Sequence, residues 1–248
     1  MAKRTLDHLS WFVSPLLLLL AWFVAAPPQL LVPPVEVWAS FKDLLASGEL
    51  REHVVNSLSR LAIGFSIGAL VGLVFGTAMA LSKTVEAYCA PLFHTLRQVP
   101  SVALIPMFIL FFGVEETFKI LIVTKAAFFP VALAASEGVK GIPRGYFEVA
   151  SVYRLPLWSL LRDVAFPAAA PPIVTGLRIS LSRAWMVLVA AELLAADSGL
   201  GQMIELSRQM LRIDIVMVGV IVTGAIGFVL DFAFRLLEKR LLRWRPTP

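Results

Sequence analysis

The chain has 248 residues, 58% of them hydrophobic and 16% charged, with a net charge of +5. The mean hydropathy is +0.82, and a water-soluble domain of this size cannot bury so much apolar surface, so a soluble globular protein is excluded. A bilayer accepts only α-helices or closed barrels, and the apolar runs here are long and continuous rather than short and alternating, which excludes a barrel and predicts an all-α integral membrane protein.

The N-terminus opens with Lys3 and Arg4, then an apolar run from Trp11 to Ala26 and the stretch VAAPP. This resembles a secretory signal but is read as a retained first span, and either fate places the residues after Pro27 on the outer side. The segment from Pro27 to His53 is too polar to span. Within it VEVWASFKDLL repeats Val35, Trp38, Phe41, Leu44 and Leu45 at helical spacing, predicting a short amphipathic helix at the outer surface.

Further spans are predicted at about Asn56–Leu81, Ala90–Phe112, Phe118–Ser136, Leu177–Ala196 and Ile213–Leu236, each near the roughly 20 residues that a crossing needs. With the first run these make about six transmembrane helices. Residues 1–55 then form an N-terminal span with its outer segment, and residues 56–248 a core of five spans. An inside start puts Lys3, Arg4, Lys83, Lys140, Arg144, Arg154, Arg162, Lys239, Arg240, Arg243 and Arg245 on the cytoplasmic side, leaving Lys42, Arg51, Arg208 and Arg212 outside. That asymmetry follows the positive-inside rule and predicts a multi-pass protein of the bacterial cytoplasmic (inner) membrane with both termini cytoplasmic. It explains the pI near 9.7 without nucleic acid. The single cysteine, Cys89, permits no intrachain disulfide, and no metal site is predicted.

The second span carries Gly64, Gly68, Gly72 and Gly76 at every fourth position, a stripe that lets another helix approach closely. An intramolecular seam is the simpler reading, a gate or dimer contact the sharper one. Gly219, Gly224 and Gly227 mark the last span in the same way. The third span begins at His94, Arg97 and Gln98, which suit an interfacial anchor, and its RQVPSVALIP stretch holds Pro100 and Pro106, which free backbone carbonyls toward a cavity or a neighbour.

Ionisable residues at membrane depth are costly and point to function. Lys125 lies about 10 Å along the fourth span at 1.5 Å per residue. Snorkelling or structural pairing competes there with a place on a translocation path. Arg183 and Glu192 sit half a turn out of phase in the fifth span and face different neighbours, with a Glu192–Lys125 pairing one option. Gln98, Lys125, Arg183 and Glu192 are the candidate path residues.

Between the fourth and fifth spans, Val139 to Gly176 is longer than a helix connection requires. Tyr146–Tyr153 and Leu157–Val164 both have helix-forming patterns, and Pro156 suits the first turn of a second helix. Two short cytoplasmic helices joined by a turn are predicted.

The residues of this interval resemble the loop signature of bacterial ABC-transporter permeases, which reads Glu-Ala-Ala, three residues, Gly, nine residues, then Ile, any residue, Leu and Pro. Glu148, Val149 and Ala150 match its start, Arg154 stands at its glycine, and Val164, Ala165, Phe166 and Pro167 fall on its end with the spacing unbroken. LRQVPSVALIPMFILFFG and GLRISLSRAWMVLVAAELLAADSGLG are similar to the nitrate, sulfonate, taurine and bicarbonate branch of importers, and the resemblance runs from about Asn56 to Leu236.

The resemblance implies a non-enzymatic importer subunit that pairs with a second copy, two cytoplasmic ATPase subunits, an external or periplasmic solute-binding protein and membrane lipid. The interval would be the coupling helix, with Glu148, Val149, Ala150, Arg154, Leu155 and Pro167 at the ATPase. No cofactor is expected on this chain, ATP and Mg being expected on the partner. Consistent with that, no G-x-x-x-x-G-K-[ST] phosphate loop occurs. Arg154 departs from the pattern, since a side chain there is disfavoured at positive φ. Either the turn is rearranged, or an arginine contact replaces the close packing of a glycine. An ion-gradient-driven transporter or channel is the alternative, although no internal repeat supports it, and no catalytic constellation supports a membrane enzyme. The path is expected between the third, fourth and fifth spans, with Lys125 or Arg183 beside it suited to a small anion such as a sulfonate, taurine or nitrate.

Overall fold

The computed structural model describes residues 32–195 and 197–243. The expected first span, Trp11–Ala26, lies outside them. The fold is all-helical, and among the described residues four helices are long and apolar enough to cross a membrane.

Helix α1, Pro34–Ser47, starts with proline at its first turn and ends at Gly48, whose φ of 83° closes the helix in the left-handed conformation. Its buried face is Val37, Ser40 and Leu44, set against the last helix by the Ser40 Oγ bond to Asp214 Oδ2 at 2.6 Å. Of the expected apolar stripe, Val35, Trp38 and Leu45 are exposed instead. The neighbouring helix selects the face, and here it offers a carboxylate.

Helix α2, Glu49–Leu81, begins before the expected Asn56 and lies along α5, Glu116–Lys140. Helix α5 is the centre of the bundle, packed between α2 and α7, Phe166–Leu194. Phe118, Ile122, Val123, Ala127, Val131, Ala132 and Ala135 of α5 are fully enclosed. Alternation of bulky and small side chains lets two helices pack on it at once. The last helix, α9 (Ile213–Leu241), is peripheral, with the apolar side chains of Val220, Ile221, Phe228 and Phe232 exposed. Its C-terminal part is tied to α7 by Arg178, which bonds Glu238 at 3.1 Å.

The expected third span is two shorter helices. Helix α3, Lys83–Leu96, is capped by Ser82, whose hydroxyl accepts from the Val85 N–H. It ends in tight turns in which Gln98 and Val99 donate to Thr95 and Leu96. Pro100 has no N–H to continue the ladder, and a 3₁₀ turn, Val102–Leu104, leads into α4, Ile105–Phe112, with Pro106 in its first turn.

The long loop is also shorter than expected. Helix α5 runs to Lys140 and α7 begins at Phe166, so the connection spans residues 141–165 rather than Val139–Gly176. Helix α6, Arg144–Val152, matches the first predicted short helix. The second is not separate: a turn at Leu157–Ser159 widens into π-helical Leu160–Ala165, which runs directly into α7. Pro167 stands at the junction where the π-helical turns pass into α7. Ala165, Ala169 and Ile173 pack against Ala135, Val139 and Ile142, so burial draws this stretch into the bundle.

Candidate functional site

Three of the four candidate path residues converge. Gln98, Lys125 and Arg183 line one cavity of about 550 Å³, together with Arg97, Pro100, Ser101, Phe129 and Met186. The cavity opens where α3 breaks before α4, against α5 and α7. Its charged lining is entirely cationic: Arg97, Lys125 and Arg183, with no carboxylate.

Lys125 is held by the break itself. Its ammonium donates to the Val99 carbonyl at 2.9 Å and to Ser101 Oγ at 3.3 Å, and lies 5.4 Å from the centre of the Phe129 ring. In a continuous helix the Val99 carbonyl would take the Ala103 N–H, but that N–H donates to Pro100. The freed carbonyl would be costly at membrane depth, and the lysine satisfies it.

Glu192 belongs elsewhere, and its expected pairing with Lys125 does not occur. Its carboxylate is fully buried and bonded by Arg60 Nη1 at 2.8 Å, by Ser57 Oγ and by the Gly201 N–H at 3.1 Å. Arg60 also forks onto Glu116, with two bonds of 2.6 Å, and reaches the carbonyl and hydroxyl of Ser198. Lys119 joins through Glu116 at 3.1 Å. The Leu200 N–H donates to Ser57 Oγ and the Gly199 N–H to His53 Nδ1. Helix α8, Leu200–Gln209, therefore starts on the Glu192 carboxylate, which faces its positive end.

This cluster explains the SGLG stretch. Gly199 has a φ of 113°, and a Cβ there would strike the Glu192 carboxylate and stand 2.7 Å from Arg60 Nη1. A Cβ at Gly201 would meet Glu192 Cβ at 2.6 Å. The sequence reading did not single out Arg60, yet the signal was present: it lies four residues before Gly64, on the same stripe, and a charge on a packed stripe requires a buried partner.

Gly64, Gly68, Gly72 and Gly76 all face α5. A Cβ at Gly64 would be 2.7 Å from Val123 Cγ1, one at Gly72 2.7 Å from the Phe128 carbonyl, and those at Gly68 and Gly76 would strike the Thr124 and Ala132 carbonyls. In the last helix Gly219 meets Ile204 and Gly227 meets Trp185, while Gly224 faces open space.

In the connection, Glu148, Val149, Arg154 and Leu155 are exposed and Ala150 is buried, and Pro167, at the start of α7, is exposed as well. Arg154 takes the left-handed conformation that favours glycine, with a φ of 47°. Its N–H donates to Ser151 and the Leu155 N–H to Ala150, the paired bonds of a left-handed helix stop in which glycine is the usual residue.

Residues 64–243 match the model of the family described as binding-protein-dependent transport system inner membrane component. SsuC of Bacillus subtilis (strain 168), whose name gives aliphatic sulfonates transport, is 42% identical over 86% of this chain and 77% of its own length. The taurine transport system permease protein TauC of Escherichia coli (strain K12) is 36% identical over 94% of this chain and 84% of its own. Among solved structures, an inward-facing form of the MetNI methionine ABC transporter superposes with a TM-score of 0.66 at 18% identity, covering 79% of this chain and 97% of that one; the likeness is one of fold. The chain belongs to the binding-protein-dependent transport system inner membrane components, within the ABC-transporter permeases that include SsuC and TauC.

Proposed function

We propose that this chain is the membrane-spanning subunit of an ATP-driven importer for a small anion of the sulfonate, taurine or nitrate kind. The wholly cationic cavity at the α3–α4 break carries the solute part of this reading. In a partly dehydrated site, an anion a few ångströms from one such charge gains about 4 kcal/mol at an effective dielectric of 20, whereas a cation is repelled equally. The names of SsuC and TauC support the aliphatic sulfonates and taurine among these solutes.

A second copy completes the path, two ATPase subunits sit on the cytoplasmic side, and a binding protein delivers solute from outside. ATP and Mg are bound by the ATPases. Helix α6 is the coupling element, because the exposed side chains of Glu148 and Val149, and of Arg154 and Leu155 beyond its end, offer a surface that its own bundle leaves uncovered. Arg154 pairs there with an acidic residue of the ATPase. Closure of the ATPases pushes α6, and the push reaches α5 and α7 through Ala165, Ala169 and Val139.

The test is ATP hydrolysis and solute uptake in proteoliposomes holding this chain, its co-purifying ATPase and the binding protein, with and without Glu148→Ala. Hydrolysis stimulated by loaded binding protein, and lost in the variant while assembly survives, is the expected result. Uptake by the chain alone, without ATP and with no ATPase co-purifying, would replace the reading with a channel or an ion-gradient-driven transporter.

A further inference from the structure

We infer that the cavity's three cations divide into two roles: Arg97 and Arg183 contact the anion and set specificity, whereas Lys125 has two of its three donors committed to the helix break. This rests on the anion reading above.

An ammonium has three donors. Two of those of Lys125 are directed at Val99 and Ser101, and the aromatic face of Phe129 lies beside the group. One donor is left for a solute, and the ammonium cannot move toward it without leaving the Val99 carbonyl unpaired at membrane depth. The two arginines stand differently. Arg97 ends α3 and Arg183 projects from α7, both line the cavity, and neither guanidinium bonds another described residue. Each offers a planar fork of donors that matches the paired oxygens of a sulfonate, carboxylate or nitrate. The two groups come from different helices, so a change in the spacing of α3 and α7 alters both contacts together and couples anion release to helix movement.

The site can be read without the binding protein, whose own affinity would mask it in uptake assays. Met186 lines the cavity and is 70% exposed, so Met186→Cys in a Cys89→Ser background places a thiol beside the proposed site. With the full chain in lipid nanodiscs, the rate of maleimide labelling is followed against ethanesulfonate concentration, with tetramethylammonium as the cation control. Ethanesulfonate should protect the thiol and tetramethylammonium should not. Arg97→Gln and Arg183→Gln should each raise the half-protecting concentration about tenfold, the loss of roughly one charge-assisted hydrogen bond, and Lys125→Met should raise it less than threefold. Arginine variants within twofold of the parent would overturn the inference even if Lys125→Met does not fold, as would a Lys125→Met effect equal to theirs. If neither ethanesulfonate nor nitrate protects the parent, or tetramethylammonium protects it equally, the anion reading itself fails.

Discussion

Arg60 of α2 and Glu192 of α7 form a buried ion pair at 2.8 Å, with side-chain exposures of 3% and 0%. The pair ties two helices that otherwise meet mainly through α5, and it holds the start of α8 through Ser57 and Gly201. Each charge has several hydrogen-bond partners, which is the condition for a buried pair to be tolerated at membrane depth.

Removing Arg60 leaves the enclosed Glu192 carboxylate without its cation, so Arg60→Ala should cost about 3–5 kcal/mol. The unfolding midpoint of the detergent-solubilised Arg60→Ala protein should fall by roughly 10 °C. In Glu192→Ala the guanidinium keeps its fork onto Glu116, and the loss should be smaller but still above about 1 kcal/mol. Gly199→Ala should act in the same direction, because its methyl group enters the space of the pair and its φ is positive. An Arg60→Ala protein melting within two or so degrees of the parent, a shift worth at most about 1 kcal/mol, would show that the pair is dispensable.

The Lys140–Glu86 pair is shorter, at 2.6 Å, but both side chains are 42% exposed. Solvent screening and side-chain entropy offset its attraction, so Glu86→Gln should change stability by no more than about 1 kcal/mol. Equal losses for Glu86→Gln and Glu192→Ala would mean that burial does not separate the two pairs.

At Arg154 the helix stop and the proposed ATPase contact make opposite demands. Glycine relieves the left-handed strain of about 1 kcal/mol, so Arg154→Gly should raise the thermal midpoint slightly. It also removes the charge, so ATP-coupled uptake should fall in Arg154→Gly and persist in Arg154→Lys. Unchanged coupling in Arg154→Gly would end the proposal of an acidic partner. Leu211, with a φ of 58° at the same position of the stop after α8, carries no such second role, and Leu211→Gly should show the stability gain alone.

Much of this architecture was readable from periodicity. Long apolar runs predict α2, α5 and α9, and the four-residue glycine step identifies the face that α2 turns to α5. Partner choice was not readable, because it depends on residues brought together by folding. Glu192 and Arg60 lie 132 positions apart, and no local pattern distinguishes Arg60 from Lys125 as the partner. The break at Val99–Ser101 was signalled by Pro100, yet the total hydropathy of Ala90–Phe112 suits a continuous span. What hydropathy omits is that a lysine from α5 satisfies the freed carbonyl. Likewise Phe166–Gly176 reads as loop from its three prolines, although its alanines fit closely against α5 and fold it into α7.

The glycine seam provides the sharpest contrast between similar substitutions. Gly72 and Gly224 are both glycines within long apolar helices, so helix propensity alone predicts that alanine or valine improves either one. Packing reverses the sign at Gly72, where a Cβ would lie 2.7 Å from the Phe128 carbonyl and 3.2 Å from the Ala132 amide. Both are backbone atoms, which cannot swing aside, so α2 and α5 must separate and lose the close contact that holds helices together in lipid. Gly72→Val should therefore cost at least the roughly 1–3 kcal/mol of an overpacked core, with loss of the monodisperse peak in size-exclusion chromatography. Gly224→Ala meets no atom within 4 Å and should elute and melt like the parent or slightly better. A Gly72→Val protein as abundant and stable as Gly224→Ala would mean that the two helices do not pack through this stripe.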